Sequence, residues 1–394
     1  MRTAIFILGA DCIQCAYLRR SISELKVEPF FFSETGHIPF FLPKFQNIII
    51  SESAETLSYL RMFVSLALKY DKVFIYSLSE EGWDVLYELQ PMLSSKFDVL
   101  LPSTLEHYKS VNNKWALYNT AIELEIPTLK TELSVNVFDK FSTHNFDKNN
   151  LIRKPNVGSG ARGFKLLTNF MELSNVRDSE QHHIQPFIKS NIQYKCTALS
   201  ISGKIQSIAC IQKERYFPRH GGSLTFGTCL KPPKDFIEIL TKICQSTNWT
   251  GVIDTDFIYD VLQEKMFLLE VNPRMPACVK YCDYLGVDLF LTLIGSKLNI
   301  DNDCIKKFDV PNLRGKIPRN DSVQYLTLDI LLLIGAIFRF DFKLFFTVFV
   351  SLFKSRNRID IYSGSTANLI KVMYIQGKKL TSVSFMKKKF FNVK

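Results

Sequence analysis

The residues best suited to chemistry lie on two neighbouring segments in the second half of the chain. Glu270 and Asn272 follow the apolar run 266–269, and Asp254 and Asp256 lie on the preceding segment. In an extended chain every second side chain points to the same face, so each pair shares one face of its strand. If the two strands pair, a carboxylate from each and the Asn272 carbonyl provide the oxygen ligands preferred by Mg²⁺ bound to a nucleotide phosphate. A solvated acidic hairpin is the alternative, but charged groups beside a buried run need partners.

A glycine-rich stretch, 158–163, follows Lys154 and lies between two predicted short strands. Glycines let the backbone turn sharply and bring its N–H groups close to a phosphate, while a lysine adds a point charge for the same anion. A glycine-rich hairpin turn in an ordinary β protein would look similar. The stretch is therefore a candidate phosphate loop that needs support from its surroundings.

The first hundred residues alternate between short apolar runs and longer amphipathic segments. This order predicts an α/β domain in which crossover helices connect the strands of a parallel sheet. Gly9, in the first turn, has no accompanying glycine pattern and does not support dinucleotide binding. The strands are predicted at 4–8, 47–50 and 72–76, and the helices at 12–25 and 54–70.

The middle of the chain has a mixed α+β pattern. A helix is predicted over 104–124, and it should end before Pro127 because the residue before a proline avoids the helical conformation. A second helix is predicted over 233–246. The predicted strands are 151–154, 164–167, 183–188, 194–202, 205–212, 251–259 and 265–271.

Together these pieces resemble the ATP-grasp superfamily, which includes carboxylate-amine ligases and carbamoyl-phosphate-synthase-like ATP-binding proteins. The resemblance covers roughly residues 105–310 and rests on several motifs in the family's order. Arg274 matches the arginine that meets the reacting phosphate. The positions that match the family's nucleotide-binding motifs are Lys114, Lys154, Gly158, Ser159, Gly160 and Gly163. The positions that match its metal ligands are Asp256, Glu270 and Asn272.

The resemblance implies a fold, an activity and two cofactors. The fold would be two α+β subdomains that clasp a nucleotide, preceded by an α/β domain with a parallel sheet. The activity would be that of an ATP-dependent ligase, which joins a carboxylate to an amine through an acyl-phosphate and uses ATP with Mg²⁺ or Mn²⁺. The expected domains are 1–104, 105–310 and a basic C-terminal segment, 311–394.

The segment that matches the family's adenine site departs from the usual pattern. Gln185 and Gln193 stand where glutamates are expected, and glutamine keeps an acceptor oxygen but loses the charge. The resemblance assigns the adenine contacts to Pro186, Phe187 and Ile188, through the backbone carbonyl of Pro186 and the N–H of Ile188. The departures slightly favour a second function, that of a nucleotide-binding peripheral membrane protein with an ATP-grasp core and no ligase activity. The intact lysine pair and metal-ligand set oppose this alternative more strongly.

A basic segment precedes a pair of glycines at 221–222. In many relatives a similar segment faces the acceptor substrate, so the resemblance makes Lys213 and Arg215 candidates for holding a carboxylate or an acyl-phosphate. Arginine suits that role because its guanidinium can bind a carboxylate with two hydrogen bonds. An exposed basic loop is the alternative.

The net charge of +11 is confined to one end of the chain. Residues 311–394 contain fifteen basic and four acidic residues, which accounts for the whole excess. The apolar runs 330–338 and 344–353 are too short to span a bilayer, and their aromatic residues with basic neighbours suit helices in a membrane interface. We expect residues 326–358 to contact an anionic membrane surface. Nucleic acid is not an expected partner, because a soluble nucleic-acid domain would not display these apolar runs.

The N-terminal apolar run is too short for the core of a signal peptide. Nine cysteines with no secretory signal predict a reducing compartment and mostly buried, free thiols, with a zinc site of Cys12, Cys15, Cys278 and Cys282 as the alternative. The expected location is the cytoplasm, with peripheral attachment to the inner face of the cell membrane. The expected substrates are small-molecule or lipid-linked carboxylates and amines, such as cell-envelope or polysaccharide precursors.

Overall fold

The structure is a computed structural model. It describes residues 2–10, 12–15, 17–18, 22, 25, 27–33, 48–50, 55–136, 141, 146, 150–158, 163–175, 180–190, 192–217, 222–287, 289–298, 322–354 and 357–358. Within these ranges the strands form a five-stranded, a four-stranded and a seven-stranded sheet. The predicted combination of α/β and α+β architecture is confirmed.

The five-stranded sheet is parallel and has the order β3-β2-β1-β4-β5. Its central strand is buried on both faces, as expected for a parallel sheet covered by helices. The strands β2 and β5 were not among the predicted strands, and the predicted helix 12–25 lies partly outside the described residues. The elements are β1 (Thr3–Leu8), β2 (Glu28–Ser33), β3 (Ile48–Ile50), α1 (Thr56–Ala67), β4 (Lys72–Ser77), α2 (Glu80–Leu89) and β5 (Phe97–Val99).

The prediction of one helix over 104–124 is wrong, because two helices occupy this range. They are α3 (Leu105–Asn112) and α4 (Lys114–Glu123), and Asn113 between them has an extended backbone, with φ −87° and ψ 119°. The Asn113 side chain accepts hydrogen bonds from the backbone N–H groups of Trp115 and Ala116. An asparagine cap of this kind satisfies N–H groups that a new helix leaves without partners. The break makes Lys114 the first residue of α4.

The four-stranded sheet is antiparallel, with the order β6-β9-β7-β8. A small apolar core that includes Leu151, Leu167, Leu173 and Ile184 supports it. The sheet contains the candidate phosphate loop, between β7 and β8. Its elements are β6 (Glu132–Leu133), β7 (Leu151–Pro155), β8 (Lys165–Leu167), α5 (Phe170–Ser174) and β9 (His182–Pro186).

The seven-stranded sheet has the order β14-β13-β10-β11-β12-β15-β16. All its pairs are antiparallel except β15 with β16. The helices α6 to α8 accompany it, and α6 packs on β10 and β11. The elements are β10 (Gln193–Ile201), β11 (Lys204–Phe217), β12 (Ser223–Leu230), α6 (Lys234–Ser246), β13 (Gly251–Asp260), β14 (Lys265–Asn272), α7 (Lys280–Tyr284), α8 (Leu289–Leu298), β15 (Ser322–Gln324) and β16 (Asn357–Arg358).

The expectation of free thiols is wrong for one pair of cysteines. Cys196 of β10 and Cys210 of β11 lie directly opposite each other, with their Cα atoms 4.3 Å apart, and form a disulfide. Cys244 and Cys278 are buried thiols, in agreement with the prediction. Among the described residues, no group of three or more potential ligands is arranged to hold a metal ion through histidine, cysteine or carboxylate side chains alone.

Two apolar helices, α9 (Leu326–Phe338) and α10 (Phe342–Lys354), follow β15 and pack against each other. Phe217 at the end of β11 joins Leu331, Leu332 and Val348 in the small core between these helices and the sheet. Within the described part of the chain, no helix is both long enough and apolar enough to cross a bilayer.

Candidate active site

A cleft of about 350 Å³ lies between the four-stranded and the seven-stranded sheet. It brings together most of the residues that sequence analysis selected. Those that line it are Lys114, Lys154, Gly158, Gln185, Pro186, Phe187, Ile188, Gln193, Lys213, Asp256, Glu270, Asn272 and Arg274. Gly163 and Arg215 do not line it, and Ser159 and Gly160 lie outside the described residues.

Pairing of β13 with β14 places the oxygen ligands together. Asp254 lies opposite Asn272, and Asp256 lies opposite Glu270, so all four side chains share the face of the sheet that forms the cleft floor. Glu270 lies within hydrogen-bonding reach of Asp256. The Asn272 amide nitrogen donates to Asp254 Oδ2 at 3.3 Å, which leaves its carbonyl oxygen as a ligand. Two adjacent carboxylates and an amide oxygen fit a divalent cation that prefers oxygen.

Two buried lysines neutralise the acidic groups. Lys213 Nζ lies 2.7 Å from Asp256 Oδ1, and Lys195 Nζ lies 3.2 Å from the same oxygen and also contacts Asp254. Burial alone would raise the pKa of Asp256, but the two ammonium groups outweigh it and hold the pKa of Asp256 well below its usual value. Lys195 was not among the site residues predicted from the sequence. The only signal was its alternation with Gln193 and Thr197 along one strand face.

Lys114 connects the phosphate loop to the carboxylates. Its Nζ donates to the Gly158 carbonyl oxygen at 2.7 Å and lies 3.6 Å from Glu270 Oε2. Its backbone N–H donates to the Asn156 carbonyl oxygen at 2.8 Å, so both ends of the residue are held at the loop. The helix break at Asn113 therefore positions a cation between the loop and Glu270.

Lys154, at the end of β7, occupies an unusual environment. Its pKa is lowered to about 8, chiefly by burial and also by the nearby charge of Lys114, while Glu270 acts in the opposite direction. An additional anion near Lys154 would stabilise its charged form. A nucleotide phosphate between Lys114 and Lys154 would supply one.

The described ends of the glycine-rich stretch have backbone conformations that favour glycine. Gly158 has φ 126° and Gly163 has φ 75°. A Cβ atom on Gly163 would lie 3.3 Å from the Pro155 side chain. Both positions let the loop leave and rejoin its strands without strain.

The segment expected to read adenine connects the two sheets. Gln185 is buried in β9, where its Oε1 lies 3.5 Å from the Thr131 hydroxyl, and Gln193 opens β10. The apolar residues Leu129, Ile152, Ile258 and Leu269 also line this end of the cleft. Apolar side chains that line a cleft suit a flat aromatic ring. Sequence analysis missed these wall residues, because alternating apolar residues in a strand look like ordinary core.

Arg274 also lines the cleft. Its Nε donates to Glu80 Oε1 at 2.8 Å, and Glu80 opens α2 at the carboxyl end of the parallel sheet. The Gln14 side chain donates to the Met275 carbonyl oxygen at 2.9 Å. The N-terminal sheet therefore holds the loop that carries Arg274.

Arg215 points away from the cleft toward the C-terminal helices. Its Nη2 lies 2.5 Å from Asp329 Oδ2 of α9 and 2.7 Å from the Ser351 hydroxyl of α10. The Asp329 side chain is fully buried, at 0% exposure. Sequence analysis did not predict this pairing, because the partners are separated by more than a hundred residues.

Comparison with known proteins agrees with this geometry. Residues 111–278 match the family model of the ATP-grasp domain. No curated protein sequence matches the chain significantly.

Several solved structures share the fold at 12–15% identity. Biotin carboxylase from Campylobacter jejuni, solved as a complex with β-γ-ATP, is similar over 74% of this chain and 70% of its own, with 13% identity and a TM-score of 0.58. The L-amino acid ligase from Bacillus licheniformis is similar over 82% and 78%, with 15% identity and a TM-score of 0.56. Pyruvate carboxylase from Rhizobium etli has a TM-score of 0.61 and 12% identity over 75% of this chain, but the chain spans only 28% of that longer protein.

The family match covers the strands and helices that carry the phosphate loop, the paired carboxylates and the asparagine. Residues 111–278 are an ATP-grasp domain.

Proposed function

We propose that the protein is an ATP-dependent ligase that joins a carboxylate to an amine through an acyl-phosphate. One observation carries this proposal. A single cleft is lined by four cations, Lys114, Lys154, Lys213 and Arg274, together with the paired carboxylates. This arrangement suits a triphosphate whose terminal phosphoryl group is passed to an acid.

The reaction would proceed in two steps. A carboxylate oxygen of the first substrate attacks the γ-phosphorus of ATP, the bond to the β-γ bridging oxygen breaks, and ADP leaves. The nitrogen of the amine then attacks the acyl carbon, phosphate departs with the electron pair of the broken bond, and the ammonium loses a proton to solvent. Lys114 and Lys154 would bind the phosphates, and Arg274 would offset charge on the transferring group.

The magnesium or manganese would be held by Asp256, Glu270 and Asn272. The bound cation would offset the negative charge of the phosphates. The adenine would pack against Leu129 and Ile258, beside the backbone of Pro186 and Ile188. Gln185 and Gln193 would then act as neutral hydrogen-bonding partners.

We further propose a cell-envelope or polysaccharide precursor as substrate, met at an anionic membrane surface. Support comes from the aromatic face, by which we mean the exposed side of α9 and α10 with the turn between them. Phe340 in that turn is 79% exposed, and Arg339 and Lys343 beside it are exposed cations. The members of the aromatic face are Phe338, Phe340, Phe342, Phe346 and Phe353. Exposed apolar patches of this kind mark contact surfaces, and basic neighbours favour anionic lipid.

The ligase proposal is tested with the Glu270→Gln variant. This change removes one carboxylate charge while preserving shape, and we expect release of ADP from ATP to fall by at least a hundredfold. ADP release is measured with a panel of carboxylic acids and amines, alone and in pairs.

Glu238→Gln, on the exposed side of α6, is the matched control and should behave like the parent protein. Unchanged ADP release by Glu270→Gln would contradict the assignment. A parent protein that binds ATP but releases no ADP with any pair would favour the alternative, a nucleotide-binding protein without ligase activity.

A further inference from the structure

Lys195 has no role in the proposal above, yet it lies at the centre of the site. It is directly opposite Asp256 in the pairing of β10 with β13, and it lines the cleft. Its side chain is only 10% exposed. A buried ammonium group requires compensation by anions, and Lys195 finds two carboxylates, Asp254 and Asp256.

The neighbours of Lys195 hold it in one place. Asp254 Oδ1 accepts a hydrogen bond of 2.7 Å from the Thr197 hydroxyl, and Asp254 Oδ2 accepts one from the Asn272 amide. Tyr281 donates to Thr197 at 2.8 Å, so the network continues into the core. The ammonium group is therefore a fixed charge rather than a mobile one.

The carboxylates that face the cleft differ in how closely a lysine ammonium group approaches them. Asp254 and Asp256 are almost fully buried and contact lysines directly. Glu270 is 27% exposed at its side chain, and its nearest lysine atom, Lys114 Nζ, is 3.6 Å away. An incoming divalent cation is consequently attracted most strongly to the side of the site formed by Glu270 and Asn272.

We propose that Lys195 is a built-in counter-cation of the reaction centre, which takes the place of a second divalent cation beside Asp254 and Asp256. Without the ammonium group, the Asp254 and Asp256 oxygens would join those of Glu270 and the triphosphate, and together they would be enough for two divalent cations, as in enzymes that use metal pairs. With the ammonium in place, the complex with nucleotide binds one. This inference rests on the proposed function only in taking ATP as the nucleotide.

The test counts bound Mn²⁺ on the full chain in the presence of a non-hydrolysable ATP analogue, by electron paramagnetic resonance. We expect one Mn²⁺ per nucleotide for the parent protein and for Lys195→Arg, which retains the charge. We expect two for Lys195→Gln, together with at least tenfold tighter Mn²⁺ binding without nucleotide, because Asp254 loses its cation. Two ions in the parent, or one in Lys195→Gln, would overturn the proposal.

A double variant covers the case in which Lys195→Gln does not fold. Combining it with Asp254→Asn removes one positive and one negative charge together, and we expect a folded protein that binds one Mn²⁺ per nucleotide. Two ions in this double variant would also overturn the proposal. The count requires no turnover, so it remains informative if the Glu270→Gln experiment contradicts ligase activity.

Discussion

Lys154 lies where burial and a neighbouring cation both oppose its charge, which makes nucleotide binding dependent on pH. In the free protein its pKa is about 8, and phosphate oxygens beside it would raise that value. A group whose pKa rises on binding takes up protons, so affinity for ATP should fall as pH rises through 8. Calorimetry at pH 8 in two buffers of different ionisation enthalpy should show uptake of about half a proton per nucleotide.

The control for this prediction is Lys154→Arg. Arginine remains charged throughout this pH range, so the variant should bind nucleotide without proton uptake. Equal apparent enthalpies for the parent protein in both buffers would show that Lys154 is already protonated before binding.

At the scale of single residues, the sequence was most informative where strand alternation decides which side chains share a face. The placement of Asp256, Glu270 and Asn272 on one surface follows from that alternation and from the short connection between their strands. The environment of Lys195 was not predictable in this way, because it depends on which strand pairs with β10. Arg215 shows the same limitation, since its contacts are set by a helix far along the chain.

The Arg215–Asp329 pair fastens the C-terminal helices to the large sheet, and this contact predicts a stability effect. Replacing Arg215 by Met leaves Asp329 buried without its counter-charge, which should lower the free energy of unfolding by about 3–5 kcal/mol. Chemical denaturation followed by circular dichroism measures the change.

The double variant Arg215→Met with Asp329→Leu separates anchoring from catalysis. We expect it to recover most of the lost stability, because neither buried charge remains. If Arg215 acts only as an anchor, ADP release should recover as well. A stable double variant without activity would instead support the prediction that Arg215 contacts substrate.

At the scale of elements, apolar periodicity located most strands and helices but not their interruptions. The pattern of 104–124 continues across Asn113, so nothing in the periodicity marks a break, although asparagine is a strong helix cap. The strands β2, β12 and β15 were also missed. β15 pairs with β12, which is distant in sequence, whereas β2 and β12 pair with the strands just before them. Strands of this kind are stabilised by pairing more than by composition.

For the whole molecule, the aromatic face predicts reversible attachment to anionic membranes. The full chain should float with vesicles that contain phosphatidylglycerol and not with phosphatidylcholine alone. Each basic residue near the surface contributes about 1 kcal/mol, so raised salt should weaken the attachment. Replacing Phe338, Phe340 and Phe342 by Ser should reduce flotation by at least tenfold.

Leu262→Ser provides the comparison for that experiment. Leu262 is an exposed apolar residue in the turn between β13 and β14, outside the aromatic face. Its variant should float like the parent protein. Flotation of the triple variant at the parent level would exclude the aromatic face as the membrane contact.

At the scale of the whole molecule, the charge distribution and the fold class were predictable from the sequence. The charge distribution and the fold class each depend on many residues, so a wrong interpretation of one position has little effect on either. The division into domains at 104 and 310 stays a prediction. Buried apolar side chains form one continuous cluster that includes Ala4 and Tyr325 and crosses the boundary at 104.

That continuous core, together with the Glu80–Arg274 contact, has a consequence for how such a protein can change over evolutionary time. The parallel sheet cannot be exchanged for that of a relative as an independent cassette, because the exchange would expose apolar surface and leave Arg274 without Glu80. New substrate preferences must then arise by substitution of single residues rather than by exchange of the whole sheet. The N-terminal region and the ATP-grasp domain should therefore share one line of descent, with matched changes on the two sides of their contact.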